Sequence, residues 1–207
     1  THPIQKLNIT SFYQYGESEL WIGSWEEGLF RVKADGTIEN FKYNAKDTHS
    51  LSSNFVRACC EDNLGNIWIG TFNGLNRYNK ITGLFQNHTA NDTQADGLTH
   101  SSIWCIVKDN QGTLWLGTYF GGVNYFNPEY EIYTRYSYSS NEKKGLSNPV
   151  VGRTIEDKDD NLWIGTEGGG LNYYNRRTRE FKWYRPQEGR NSISHNNVKA
   201  LYYDADK

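Results

Sequence analysis

Aromatic, cationic and acidic side chains stand at recurring positions along this 207-residue chain. Aromatic rings stack on the apolar faces of sugars, while arginine, asparagine and glutamate hydrogen-bond to hydroxyl and acidic groups. The pattern therefore favours a face that binds a sugar. The candidate ligand-binding residues are Trp25, Glu26, Arg57, Phe72, His100, Trp104, Tyr119, Phe120, Arg153 and Glu167. A structural alternative stays open, in which Trp104 and the arginines only fill space between repeats.

The elements that must position these residues are internal repeats. Tryptophan follows Leu or Ile and precedes Ile-Gly or Leu-Gly at positions 21, 68, 115 and 163, which are 47 or 48 residues apart. An aspartate that opens a turn typical of a hairpin stands six residues before the last three tryptophans, at Asp62, Asp109 and Asp157. A leucine followed by Ser or Thr stands seventeen residues before them, at Leu51, Leu98 and Leu146. A fixed period of this length is typical of solenoids and propellers.

Each period contains four short strand patterns separated by turns with Asp, Asn or Gly. In the second repeat we predict strands at 55–61, 67–71, 75–79 and 84–88. Four antiparallel strands per repeat describe one blade of a β-propeller, and the four tryptophans are expected to pack between adjacent blades. The fold class is therefore all-β, with residues 1–207 forming one partial propeller. The predicted blades are 7–43, 53–88, 101–137 and 149–185, and 198–204 is predicted to be the inner strand of a fifth.

The composition agrees with a strand-rich fold and argues against nucleic-acid binding and against a membrane-spanning helix in this segment. Aromatic residues make up 15% of the chain, and Gly is frequent, with 20 residues. The 22 basic and 24 acidic residues nearly cancel, so we expect no nucleic-acid binding by this segment. No stretch has the ~20 apolar residues of a membrane helix. The chain contains no methionine, which leads us to expect a piece of a longer protein.

Sequence signatures of catalysis and of metal binding are absent from the chain. It has no GxSxG, Walker or HExxH motif. The acidic run 157–161 lacks the glycine and distal glutamate of a calcium loop, and the three cysteines lack zinc-ligand spacing. We therefore expect no catalytic residue, metal or cofactor. Two alternatives remain open: a propeller lyase or glycosidase using a histidine or paired carboxylates such as Glu26 and Glu167, and a protein-interaction scaffold.

The repeat itself is recognisable. Residues 51–57, 61–71 and 74–79, with the core Asn66-Ile67-Trp68-Ile69-Gly70-Thr71, closely resemble the two-component regulator propeller repeat, and so do residues 159–175. The first repeat departs most, because 24–28 replaces the Thr-plus-glycine turn and 30–32 replaces the Asn-aromatic strand. That departure indicates different surface chemistry in blade one, not a different fold.

The resemblance implies a function for a larger parent protein. Propellers of this family form the periplasmic sensor of hybrid histidine kinase/response regulators of the Bacteroides type. There they commonly sense oligosaccharides and trigger phosphorelay and transcription control. The parent is accordingly expected to be a membrane-anchored histidine kinase whose ring has seven blades. This segment is expected to sense and not to catalyse.

The strand count leads to a prediction about partners. Four blades and one further inner strand leave two blade faces uncovered, and such faces are expected to be apolar. We therefore expect contact with neighbouring blades of the parent protein or self-association. Two chains could pair end to end in an eight-bladed pseudo-ring.

Overall fold

The computed structural model describes residues 6–90, 97–129 and 132–204, and its described part is all-β. Four antiparallel sheets of four strands follow one another along the chain, each with its strands in sequential order. The inner strands lie side by side, β1 (Ile9–Tyr15) against β5 (Val56–Glu61), β5 against β9 (Ile103–Lys108), and β9 against β13 (Val151–Glu156). The propeller fold predicted from the repeats is confirmed.

The remaining strands complete the four blades. Blade one adds β2 (Glu19–Ser24), β3 (Leu29–Lys33) and β4 (Ile38–Phe41). Blade two adds β6 (Ile67–Thr71), β7 (Gly74–Asn79) and β8 (Leu84–His88). Blade three adds β10 (Leu114–Thr118), β11 (Val123–Asn127) and β12 (Ile132–Tyr136). Blade four adds β14 (Leu162–Thr166), β15 (Gly170–Asn175) and β16 (Glu180–Tyr184).

One short 3-10 helix, Glu142–Lys144, interrupts the strands in the described part of the chain. No helix among the described residues is long and apolar enough to cross a membrane.

The repeated aspartate fixes both the first hairpin of a blade and the tryptophan that follows. Asp62 Oδ1 accepts hydrogen bonds from the backbone N–H groups of Leu64 and Asn66, at 2.9 Å each. Its Oδ2 accepts from the indole Nε1 of Trp68 at 2.7 Å. Asp109 and Asp157 make the same bonds in blades three and four. The spacing of Asp and Trp is therefore a hydrogen-bonding requirement of the turn.

Three of the repeated tryptophans pack between blades, as predicted. Trp68 is fully buried, and its ring centroid lies 5.1 Å from that of Phe126 in the next blade. Trp21 meets Tyr78 and Trp115 meets Tyr174 in the same way.

The expectation is wrong for the fourth tryptophan. Trp163 is only half-buried, and its ring contacts are with Tyr173 and Tyr184 of its own blade. The reason is that no fifth sheet follows in the described part of the chain to supply the aromatic partner.

The glycine after each tryptophan motif lets adjacent blades approach. A Cβ placed on Gly70 would lie 2.7 Å from Cγ2 of Ile103 at the start of the next inner strand, well inside contact distance. Gly23 and Gly117 meet Val56 and Val151 in the same way. The backbone of one blade therefore touches the first side chain of the next.

A buried asparagine ties the preceding loop to each of the last three blades. Asn76 is fully buried on β7, and its Oδ1 accepts a hydrogen bond from Ser52 N at 2.8 Å while its Nδ2 donates to Ser52 Oγ at 2.9 Å. Asn124 and Asn172 bind Thr99 and Ser147 alike. Blade one has Phe30 at this position, consistent with its different sequence pattern.

The prediction of an inner strand at 198–204 is wrong. These residues form no strand, although Val198 N donates to Thr166 O at 2.9 Å and Val198 packs against Gly165 as Val56 packs against Gly23. The segment docks on blade four as a fifth repeat would begin. A strand ladder needs a second strand to pair with, and the described chain holds none there.

Candidate ligand-binding site

Each inner strand carries a β-bulge at the same repeat position, eleven residues before the tryptophan. In blade two, Val56 pairs with Thr71 and Ala58 pairs with Gly70, so Arg57 between them has no partner in register. A bulge bends the strand and redirects the extra side chain. The bulged residues of the four blades are Thr10, Arg57, Trp104 and Gly152.

A second set of side chains stands beside the bulges, in the turns that join the second strand to the third. Thr71 Oγ1 closes this turn by donating to Gly74 O at 2.9 Å. The next backbone N–H, from Phe72, donates to Phe55 O at 3.0 Å, just before the bulged strand. The same backbone bond anchors the corresponding residue in every blade, namely Trp25, Phe72, Tyr119 and Glu167.

The four bulged residues, together with Trp25 and Glu167 of the second set, surround a cavity of about 260 Å³, called the axial cavity below. This volume lies just under the ~300–1,000 Å³ typical of pockets for drug-sized ligands, which suits one small unit of a longer ligand. The lining residues are Thr10, Trp25, Arg57, Trp104, Gly152, Arg153, Glu167 and Lys199. Lys199 occupies the bulge position of the incomplete fifth repeat, so every repeat supplies its residue from that position.

Arg57 is the most unusual side chain of the axial cavity. It is only 8% exposed, and its guanidinium carbon lies 3.9 Å from the ring centroid of Trp104 and 5.2 Å from that of Trp25. Its buried Nε and Nη1 have no hydrogen-bond partner among the described residues. Burial lowers the pKa of Arg57, but arginine starts so high that the group stays charged.

Trp104 forms the neighbouring wall. Its ring stacks on that of Tyr119, with centroids 5.5 Å apart and an interplanar angle of 20°. The side chain is half-buried, and its Nε1 is a buried donor without a partner among the described residues. The wall therefore combines a flat apolar surface with unused N–H donors, the combination that holds a polar ligand with apolar faces.

The other charges lie at the more exposed part of the cavity. Lys199 Nζ lies 3.6 Å from Glu167 Oε1, and the lysine side chain is largely exposed. Arg153 is exposed. Among the residues that line the axial cavity, three are cationic and one, Glu167, is acidic.

A second cavity of about 440 Å³ adjoins the axial cavity through two aromatic residues. Phe72 lines it and also lies under Arg57, with 5.5 Å between the ring centroid and the guanidinium carbon. Tyr119 lines it and also stacks on Trp104. The remaining lining residues are Asn73, Ala90, Thr99, His100, Ser101, Ser102 and Phe120. Phe72 and Tyr119 therefore form an aromatic ridge between the two cavities.

His100 in this second cavity has one ring nitrogen already engaged. Its Nδ1 accepts a hydrogen bond from Ser102 N at 3.0 Å. This bond places the proton of the neutral ring on Nε2, which leaves that nitrogen as a donor.

The structure groups nine of the ten predicted residues into these two cavities. The axial cavity contains Trp25, Arg57, Trp104, Arg153 and Glu167, and the second contains Phe72, His100, Tyr119 and Phe120. Glu26 is exposed and lines neither cavity. The prediction omitted Thr10, Gly152 and Lys199, although all three share the repeat position of Arg57 and Trp104. That shared position was the signal that could have found them.

The fold is that of a β-propeller, and the bulged residues of its four inner strands line one cavity of about 260 Å³. The sequence profile of the two-component regulator propeller family matches residues 50–73, 97–120 and 145–168. Three segments of the chain, one at the start of each of the last three blades, therefore carry the two-component regulator propeller repeat.

Several solved structures share this fold. The extracellular domain of the hybrid two-component system BT3049 from B. thetaiotaomicron is 18% identical with a TM-score of 0.72, covering 99% of this chain and 32% of its own. The extracellular domain of BT4673 from the same organism is 25% identical, also with a TM-score of 0.72, covering 86% of this chain and 25% of its own. Virginiamycin B lyase from Staphylococcus aureus is 12% identical with a TM-score of 0.64, covering 90% and 58%. No curated protein matches the chain in sequence.

This chain thus spans about a third or less of the two-component relatives. The lyase, at its low identity, shows the shared fold alone.

Proposed function

We propose that this chain is part of the extracytoplasmic sensing propeller of a hybrid two-component system and that its axial cavity binds an oligosaccharide. The observation that carries the proposal is the convergence of one bulged residue from each repeat on a single cavity. Its support comes from the family repeats and from the extracellular location of the BT4673 domain.

The two cavities suit a ligand longer than one sugar. One saccharide unit would enter the axial cavity, where Trp104 offers a stacking surface and Arg57 offers unused N–H donors. The next unit would lie over the ridge of Phe72 and Tyr119. Stacking on these rings buries apolar sugar faces, while the donors fix orientation.

Such binding would couple several blades. The ligand would touch residues of blades one to four and of the segment around Lys199 at once. It would therefore stabilise one arrangement of the blades, which is the differential contact that a conformational signal requires. In the parent protein we propose that this change starts phosphorelay from a periplasmic, membrane-anchored sensor kinase.

We propose further that the segment binds without turnover. Glu167, the carboxylate that lines the axial cavity, is paired with Lys199 at 3.6 Å, and His100 lies in the separate second cavity. Among the described residues this arrangement gives no acid and base pair facing one site, which glycoside cleavage needs.

The test is calorimetric titration of the chain with defined oligosaccharides, followed by chromatography of the mixture. We expect binding to one class of oligosaccharide and no new product. Trp104→Ala should weaken that binding about 5- to 30-fold, because a stacking surface is worth roughly 1–2 kcal/mol. The matched control is Trp183→Ala, in the outermost strand and outside both cavities. Binding of no oligosaccharide would overturn the proposal, and product formation would replace sensing by catalysis.

A further inference from the structure

We infer that the axial cavity selects an oligosaccharide that carries an anionic group, and that Arg57 is the partner of that group. This inference rests on the proposed function and names the ligand class. The shared chemistry is a carboxylate of a uronic acid or a sulfate ester.

The first observation is that Arg57 is a buried cation without an anion. Arginine is almost never fully buried unless it is paired. Here the side chain is more than nine-tenths buried, yet no carboxylate among the described residues lies within ion-pair distance of it. Two of its nitrogens also lack any hydrogen-bond acceptor among the described residues. An unpaired buried donor is costly, and a charged one more so.

The aromatic rings around Arg57 explain how the fold tolerates this cation. Trp25, Phe72 and Trp104 all lie within 5.5 Å of the guanidinium carbon, so cation–π attraction offsets part of the lost hydration. The same rings supply no hydrogen-bond acceptor. They therefore hold the group charged and in place while its N–H groups remain unused.

The other charged side chains that line the axial cavity also leave a surplus of positive charge. Glu167 is already paired with Lys199. That pairing leaves Arg57 and Arg153 as charges without a partner of opposite sign among the described residues that line the cavity. A cavity lined by a surplus of positive charge concentrates the field on an incoming anion.

An anion fits these observations better than a neutral hydroxyl. Charge-assisted hydrogen bonds to arginine are shorter and roughly twice as strong as neutral ones. A carboxylate or sulfate would satisfy the unused N–H groups and neutralise the charge in one contact. A hydroxyl would leave the buried charge uncompensated. We expect the anionic group to raise affinity about 10- to 100-fold over its neutral counterpart.

The test titrates the chain with matched pairs of oligosaccharides. Uronate oligomers from pectin, alginate and glycosaminoglycans are each compared with their carboxyl-reduced counterparts, and sulfated oligomers with their desulfated ones. We expect one acidic member to bind at least about tenfold more tightly than its neutral partner. The pair that responds distinguishes a carboxylate from a sulfate.

Variants assign the preference to Arg57. Arg57→Gln should remove the preference for the acidic member without lowering the melting temperature of the free chain, because it deletes a buried charge with no partner. Arg57→Lys should fall between wild type and Arg57→Gln, since it keeps the charge but loses the planar N–H fork. Lys108→Gln is the matched control: it makes the same charge change on an exposed residue at the far end of β9.

The outcomes separate the two proposals. A neutral oligosaccharide that binds as tightly as its acidic counterpart overturns this inference and leaves the proposed function standing. An acidic preference that survives in Arg57→Gln overturns the role of Arg57. Binding of no member of any pair overturns the proposed function, and this inference with it.

Discussion

Trp68 and Trp104 are tryptophans of adjacent blades, and the fold uses them in opposite ways. Trp68 is fully buried, packs on Phe126 of the next blade and donates its Nε1 to Asp62. Trp104 is half-buried, faces Arg57 and has an Nε1 without a partner among the described residues. The first has all its contacts satisfied within the protein, whereas the second does not.

The two tryptophans occupy different positions of the repeat, and these positions differ in how constant their residue type is. The position of Trp68 holds tryptophan in all four repeats, and three of these rings, Trp21, Trp68 and Trp115, pack against the next blade. The bulge position of Trp104 holds Thr, Arg, Trp and Gly in turn. Positions that stay constant along the chain form the joints, and positions that vary surround the axial cavity.

The largest effect is expected at a joint. Trp68→Ala should cost about 3–5 kcal/mol of the free energy of unfolding, since it opens a cavity between two blades and leaves Asp62 without its indole partner. Denaturant unfolding followed by circular dichroism measures this cost. A cost below about 1 kcal/mol would show that the joint does not depend on this ring.

A smaller effect is expected from overpacking the same joint. Gly70→Ala adds a Cβ that would lie 2.7 Å from Ile103 Cγ2, so the blades must shift apart. We expect a loss of about 1–3 kcal/mol in the same unfolding measurement. Gly70 does not have a positive φ, so backbone strain does not contribute to this loss. A loss below about 0.5 kcal/mol would argue against crowding between blades.

Trp163 tests whether position in the array matters as well as residue type. It makes its ring contacts within its own blade and is half-buried, so Trp163→Ala should cost only about 1–2 kcal/mol. A loss as large as that of Trp68→Ala would mean that another surface covers Trp163 in solution. The predicted self-association of two chains would do so, and light scattering of the same sample would reveal it.

The smallest stability effect is expected in the axial cavity. Trp104→Ala removes the stack on Tyr119 and one ring over Arg57, but it also lets water reach that charge. The two changes oppose each other, and we expect less than about 1 kcal/mol in the free energy of unfolding. If Trp104→Ala destabilises the chain as strongly as Trp68→Ala, Trp104 belongs to the core and the site assignment fails.

Much of the fold could be predicted because its constraints are local and recur. The predicted strands of blade two agree with β5 to β8 within one residue at each boundary. Asp62 and Trp68 show why: the turn and the ring are joined by hydrogen bonds over six residues, so their spacing appears directly in the sequence. The strand predicted at 198–204 failed because pairing depends on a partner that the repeat pattern does not supply.

The candidate site could be predicted only in part. Repeat position identified Arg57 and Trp104, since both stand eleven residues before a tryptophan. The bulge that turns them toward the cavity is a backbone irregularity with no residue signature of its own. The aromatic surroundings of Arg57 combine Trp25, Phe72 and Trp104 from three different blades, a contact that no local pattern encodes.

Fluorine NMR of the chain labelled with 5-fluorotryptophan tests the separation of joints from site most directly. The seven tryptophans report on both regions at once, and single Trp→Phe variants assign the signals. On titration with the tightest-binding oligosaccharide, we expect shifts for Trp25 and Trp104, which line the axial cavity, and unchanged signals for Trp21, Trp68 and Trp115. Shifts confined to the joint tryptophans, or to Trp183 in the outermost strand of blade four, would contradict it.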